Sequence, residues 1–271
     1  MSNTIDDKNK ETEITDFSFP INKFISKGWE LGLKILGWYV LYMTLAMTAS
    51  SLLKSLPYVG SLINTLVIAP VLASGTIFFI HHRYTTNRSD FGLIFLGFKK
   101  NLLQIILLNL ILVIGCLIIY LPLILEIYNS VDLSDFTKIA NEKNPEALMT
   151  LVKDLFKDIG SWARTGFFCS FGILFLMTFT VFTSFLVVLE NYTAVKAISV
   201  SFKIVKKKFI KILWFLILLG LINLLGVLCL IIGLFITVPI SFAAVYIAYI
   251  SVFKPNLEIE DDVKDKDVLD S

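Results

Sequence analysis

The 42 residues ILWFLILLGLINLLGVLCLIIGLFITVPISFAAVYIAYISVF, Ile212 to Phe253, carry no charge, and Lys206, Lys207, Lys208 and Lys211 stand directly before them. As one helix this run would extend about 63 Å at the standard helical rise. The hydrocarbon core of a bilayer is only about 30 Å thick. The run must therefore fold back on itself, bent around Gly226 to Gly233, and make two membrane spans with Pro239 inside the second. Four further charge-free runs, 35–53, 55–80, 101–125 and 165–189, are each long enough for one span. The fold class read from this pattern is all-α: an integral membrane bundle of six transmembrane helices with short interfacial amphipathic helices. Composition agrees, since 17% of the chain is charged against about 25% in a soluble domain.

The lysines beside the apolar runs set the orientation. At the bilayer centre each would cost roughly 2.5–3.5 kcal/mol, whereas beside anionic lipid each gains about 1 kcal/mol. Lys and Arg number five in residues 1–34, four in 81–100, six in 190–211 and three from 254 onward, against six on the opposite side. Such an excess marks the cytoplasmic side. The expected organisation is a disordered cytoplasmic arm (1–20), a transmembrane domain (21–253) with an external helical loop (127–165), and an acidic cytoplasmic tail (254–271). The opening MSNTIDDKNKETEITDF is acidic and polar, unlike a secretory signal peptide.

Periodicity places helices on the cytoplasmic face. Ile21, Phe24, Gly28, Leu31 and Ile35 recur at helical spacing, with Lys23, Lys27, Glu30 and Lys34 on a second stripe. This predicts an amphipathic helix in the interface before span 1. Ser89 or Asp90 can cap the short helix DFGLIFLGFKK, whose Phe91, Ile94, Phe95 and Phe98 can meet on one side. Val195, Ile198, Phe202, Val205 and Phe209 form a third stripe beside Lys196, Lys203, Lys206 and Lys207. In the external loop, Asn144 caps, Pro145 opens and Gly160 closes a helix. Pro57 and Gly60 mark a turn after span 1, Pro70 a kink within span 2, and Pro122 the outer end of span 3.

The unit of amphipathic helix followed by span precedes spans 1, 3 and 5, as FISKGWELGLKILGW, FGLIFLGFKKNLLQI and AISVSFKIVKKKFIKILW. LINTLVIAPVLASGTIFFI and LCLIIGLFITVPISFAAVYIA further align Pro70 with Pro239, as parallel repeats would. With FPINKFISKGWELGLK, LPYVGSLINTLVIAPVLASG and ENYTAVKAISVSFKIVKKKF, these segments resemble a loosely related group of uncharacterised bacterial polytopic membrane proteins. The group includes YciC-like proteins and the membrane domain attached to some glycerophosphodiester phosphodiesterases. The resemblance implies a six-helix domain in a bacterial inner membrane and carries no catalytic residues over.

Residues for chemistry are sparse. His81 and His82 are the only histidines, and as helix neighbours they point about 100° apart, a poor pair of metal ligands. Cys116, Cys169 and Cys229 all fall in predicted spans, an odd count without metal-ligand spacing. No catalytic motif is present, and no cofactor or metal is expected. Nucleic-acid binding is not expected either, because the basic residues sit against spans. Asn87-Arg-Ser and Asn191-Tyr-Thr match the glycosylation pattern but fall on the cytoplasmic side.

What remains is a surface and four intramembrane positions. Lys99, Lys100, Lys203, Lys206, Lys207, Lys208 and Lys211 are candidates for contact with the headgroups of the anionic inner leaflet. Pro70, Asn109, Asn223 and Pro239 are candidate kink and polar positions inside the spans, the two asparagines as interhelical hydrogen-bond partners. The expected function is that of a non-enzymatic membrane protein in envelope or lipid-related organisation, with a protein partner or a second copy as further expectations. The alternative is a transporter or flippase for an amphiphilic or zwitterionic molecule.

Overall fold

The computed structural model describes residues 18–53, 56, 59–130, 145–229 and 233–254. Among them every regular element is helical, and six helices are long and apolar enough to cross a membrane: Leu36–Leu53, Val59–Thr86, Leu102–Asn129, Ile159–Leu189, Phe209–Leu228 and Leu234–Phe253. The chain is an all-α, multi-pass membrane protein. Its elements are α1 (Ile21–Lys34), α2 (Leu36–Leu53), α3 (Val59–Ile63), a π-helical turn (Asn64–Ile68), α4 (Ala69–Thr86), a 3₁₀ turn (Phe91–Phe95), α5 (Leu96–Lys99), α6 (Leu102–Ser130), α7 (Pro145–Thr180), α8 (Thr183–Leu189), α9 (Ala194–Lys207), α10 (Phe209–Leu228) and α11 (Leu234–Phe253). They form two compact units, 1–109 with 178–271 and 110–177.

In the smaller unit α6 and α7 pack on each other. Gly172 admits the Ile119 side chain and Gly115 faces Leu176, and the Ser161 hydroxyl donates to the Glu126 carboxylate. Two expected boundaries disappear here. α6 runs through Pro122 to Ser130, and α7 opens at Pro145 but runs through Gly160 to Thr180. A glycine inside a helix costs only about 1 kcal/mol, too little to end a helix that continues into an apolar span. The cap expected from Asn144 lies outside the described residues, as do Pro57 and the tail beyond Lys254. Gly60 falls inside α3 rather than in a turn, where a Cβ would lie 1.8 Å from the Leu53 carbonyl oxygen.

In the larger unit the helices α4, α8 and α11, which end spans 2, 4 and 6, are each covered by a helix that opens another span. We call the end of the unit where they finish the basic end, after its lysines. α1 buries Phe24, Gly28, Leu31 and Gly32 against α11, with Ile35 beyond its end also buried. The stripe expected for α1 is therefore its buried face, but protein covers it. Phe19, assigned above to a disordered arm, is 4% exposed and packs edge-to-face on Phe24 and Phe215. The 3₁₀ turn and α5 lie on α4. Asp90 caps the turn by accepting from the Gly92 amide at 2.9 Å. Ile94 is buried there while Phe95 and Phe98 are exposed, so the expected aromatic side is split.

α9 departs most from expectation. Its buried face is Ala194, Ala197, Val200, Ser201, Ile204 and Val205, whereas Val195 is 65% and Phe202 47% exposed. Ala194, Ala197 and Ser201 in that face let two helix backbones approach. Of the expected stripe, Val205 joins the buried face while Val195 and Phe202 stay exposed, and Phe202 stacks on Phe179, which also stacks on Phe209. α10 and α11 form the folded-back pair expected of the long run, parting between Leu228 and Leu234.

Candidate functional site: the basic end of the bundle

Left-handed asparagines end two of the returning helices. Asn87 and Asn191 have φ of 54° and 55°, a conformation asparagine tolerates better than most residues. This gives the two glycosylation-like matches a backbone role. Asn101, with φ 56°, separates α5 from α6; its side chain donates to the Val187 carbonyl at 3.0 Å and to Asn191 Oδ1 at 2.7 Å. The Gln104 carbonyl oxygen accepts from the Ala194 amide at 2.9 Å, one of the donors a helix start leaves unsatisfied. Thr193 caps the same helix by accepting from the Lys196 amide.

A polar cluster then joins the ends of spans 2, 4 and 6. His81 Nδ1 shares a 2.8 Å hydrogen bond with the Tyr246 hydroxyl. The Tyr249 hydroxyl donates to Glu190 at 3.0 Å, and Lys254 pairs with the same carboxylate oxygen at 3.0 Å. Phe185 stacks on Tyr249 and meets Tyr246, and both tyrosines are fully buried. A hydroxyl taken out of water needs a partner, so His81 and Glu190 let two large tyrosines occupy the core. Sequence reading weighed His81 only with His82 as a poor pair of metal ligands and passed over Glu190, Tyr246, Tyr249 and Lys254. Their only signal was one acid and one lysine at the ends of separate spans.

The candidate headgroup residues lie around this end. Lys99, Lys100, Lys203, Lys206, Lys207 and Lys211 are exposed and Lys208 is half-buried. Lys100 lies 5.8 Å from the centre of the Phe78 ring. Among large apolar side chains, Ile210 is 72% and Trp214 54% exposed beside Lys211. Cations next to open aromatic and aliphatic surface suit a boundary between hydrocarbon and charged headgroups.

The four intramembrane candidates fall into two separate places. Pro70 follows the π-helical turn, in which the Ala69 amide reaches back five residues to Asn64. In that register residue 70 would donate to the Thr65 carbonyl, and proline has no N–H to give. Asn109 supplies the missing donor, its Nδ2 lying 2.9 Å from that carbonyl oxygen. Asn223 Nδ2 donates to Ser241 at 2.9 Å and to the Leu219 carbonyl, tying α10 to α11 two residues beyond buried Pro239. Asn223 Oδ1 and Thr237 Oγ1 are buried without a hydrogen-bond partner among the described residues.

Among the described residues, no three His, Cys, Asp or Glu side chains come together as a metal site requires. A cleft between spans 1 and 2, lined by Trp38, Tyr42, Thr76, Phe79 and Ile94, has about 10 Å³ of open space, the room of a single water. No protein-family model, no curated protein and no solved structure matches this chain.

Proposed function

We propose that this is a bacterial inner-membrane protein with both termini cytoplasmic, whose basic end engages the anionic inner leaflet in lipid-related or envelope organisation. The observation that carries the reading is α9 with the start of α10. One face, Ala194 to Val205, meets protein, and Val195, Phe202, Ile210 and Trp214 stay exposed beside Lys203, Lys206, Lys207 and Lys211. An amphipathic helix of this kind gains from apolar contact and from about 1 kcal/mol per cation at an anionic surface. The test is quenching of Trp214, kept as the only tryptophan, by brominated lipids around the reconstituted full chain. Brominated phosphatidylglycerol quenches more strongly than brominated phosphatidylcholine, and changing Lys206, Lys207, Lys208 and Lys211 to Gln abolishes the preference. Equal quenching by both lipids in the unaltered chain would reject the reading.

A second reading, passage of an amphiphilic or zwitterionic molecule, draws on the irregular backbone at Asn64–Ile68 and the unmatched oxygens of Asn223 and Thr237. Broken helices and unpaired polar groups inside a membrane are features of transport paths. Lipid scrambling by the reconstituted chain, lost in Asn223→Leu, would favour it over the first reading.

A further inference from the structure

Residues 191–253 hold six lysines and no Asp or Glu, a net charge of +6 gathered on α9 and the start of α10. The stretch after α11, PNLEIEDDVKDKDVLDS (255–271), has seven carboxylate side chains and two lysines, a net charge of −5. Spans 5 and 6 separate these lysines from these carboxylates along the chain. The fold brings the chain back.

Two contacts fix where residues 255–271 leave the bundle. Lys254 pairs with Glu190 at 3.0 Å, and Glu190 stands four residues before α9 begins at Ala194. α10 meanwhile runs antiparallel to α11: Asn223 donates to Ser241 at 2.9 Å, and a Cβ on Gly226 would lie 2.4 Å from Thr237 Oγ1. Twelve residues from that hydrogen bond along each helix, about 18 Å, Lys211 comes level with Phe253. The acidic stretch therefore sets out beside both ends of the lysine-bearing segment. Glu258, Glu260, Asp261 and Asp262 follow Lys254 within eight residues, at most about 29 Å of extended chain. That exceeds the length of α9, 14 residues or about 21 Å. Single exposed ion pairs are weak. A short tether offsets this by holding the carboxylates near the lysines at an effective concentration on the order of millimolar.

We propose that residues 255–271 dock on the outer face of α9 and the start of α10, with carboxylates set against exposed Lys206 and Lys211, and that anionic phospholipid displaces them. The chain thus carries its own competitor for the basic face. The displacing ligand rests on the lipid-facing reading above; the docked stretch does not. Residues 1–17 are acidic too, with five carboxylates and two lysines, a net charge of −3. The larger charge selects 255–271 over them.

Zero-length carbodiimide coupling of the full chain in uncharged detergent, read by peptide mass spectrometry, tests this. Lys206 and Lys211 should join carboxylates of residues 258–270. The links should be lost at about 1 M salt, where the screening length is about 3 Å, and on adding phosphatidylglycerol but not phosphatidylcholine. Links from these lysines to residues 6–16 instead, or to no carboxylate, would overturn the docking. Links to 258–270 that survive excess phosphatidylglycerol would overturn the displacement. With Glu258→Gln, Glu260→Gln, Asp261→Asn and Asp262→Asn together, Trp214 should reach half-maximal quenching at a lower fraction of brominated phosphatidylglycerol, and an unchanged fraction would also overturn it. Preferential quenching without links rejects the docking alone, and links without preferential quenching reject the lipid-facing reading alone.

Discussion

Spans 3 and 6 are both long and apolar, yet protein buries 61% of the most apolar stretch of span 6 and only 11% of that of span 3. Span 3 is the richer in Leu and Ile, including exposed Leu103, Leu107, Ile114, Leu117 and Ile118. Span 6 carries Ala243, Ala244, Ala248, Ser241, Tyr246 and Tyr249, all buried. In water the more apolar helix would take the interior. In lipid it need not, because acyl chains solvate leucine as well as protein does. The interior of span 6 takes small residues that let helices approach and polar groups that need partners, alongside Ile240, Ile247 and Ile250. Between these two spans, hydrophobicity by itself does not decide which is buried.

Glycine substitutions put the most strain on this contrast. Gly28→Leu forces a side chain into the backbone at Ala244 and should cost about 3 kcal/mol, seen as a lowered thermal midpoint in mild detergent. Among the described residues nothing lies within 4 Å of the Gly160 Cβ position, so Gly160→Ala should stabilise by about 0.5–1 kcal/mol. Similar midpoints for the two would mean that α1 is not packed on α11.

Glu190→Ala comes next. It leaves the buried Tyr249 hydroxyl and the Lys254 ammonium without their carboxylate, at about 1–3 kcal/mol. Glu190→Gln, which can still accept from Tyr249, should recover part of that loss. An Ala variant as stable as the parent would show that the cluster does not hold the span ends together.

Asn109→Leu should lose about 0.6 kcal/mol, the average for a hydrogen bond between membrane helices. The loss should vanish in a Pro70→Ala background, where residue 70 has its own N–H for the Thr65 carbonyl. A double-mutant cycle measures this, and additive effects would refute the substitution of one donor for the other. The smallest effect belongs to span 3. Ile118→Ala, at a side chain 65% exposed, should stay within about 0.5 kcal/mol of the parent.

Much of the local structure was legible. Length and charge placed the six spans, Asp90 read as a cap and Pro145 as a helix opener, and the stripe through Phe24, Gly28, Leu31 and Ile35 is the buried face of α1. What covers that face was not legible, because lipid and a neighbouring helix select the same apolar residues. For α9 the spacing picked out a stripe through Val195, Phe202 and Val205, and protein buries only Val205 of these three. Helical periodicity records that an apolar face exists and not whether protein or lipid meets it. Glu190 and Lys254 stand 64 positions apart by their numbering, and no local pattern links them.

The order of residues alone determined that this chain crosses a membrane six times and where its cations gather. Those follow from the thickness of hydrocarbon and the cost of placing a charge inside it, which act on one segment at a time. Tertiary structure alone decided that α1 closes onto α11, that His81 and Glu190 hold the tyrosines of span 6, and that Asn109 supplies the donor Pro70 lacks. Each of these joins residues distant in the chain, through contacts whose energy exists only once two helices lie within an atom's reach of each other.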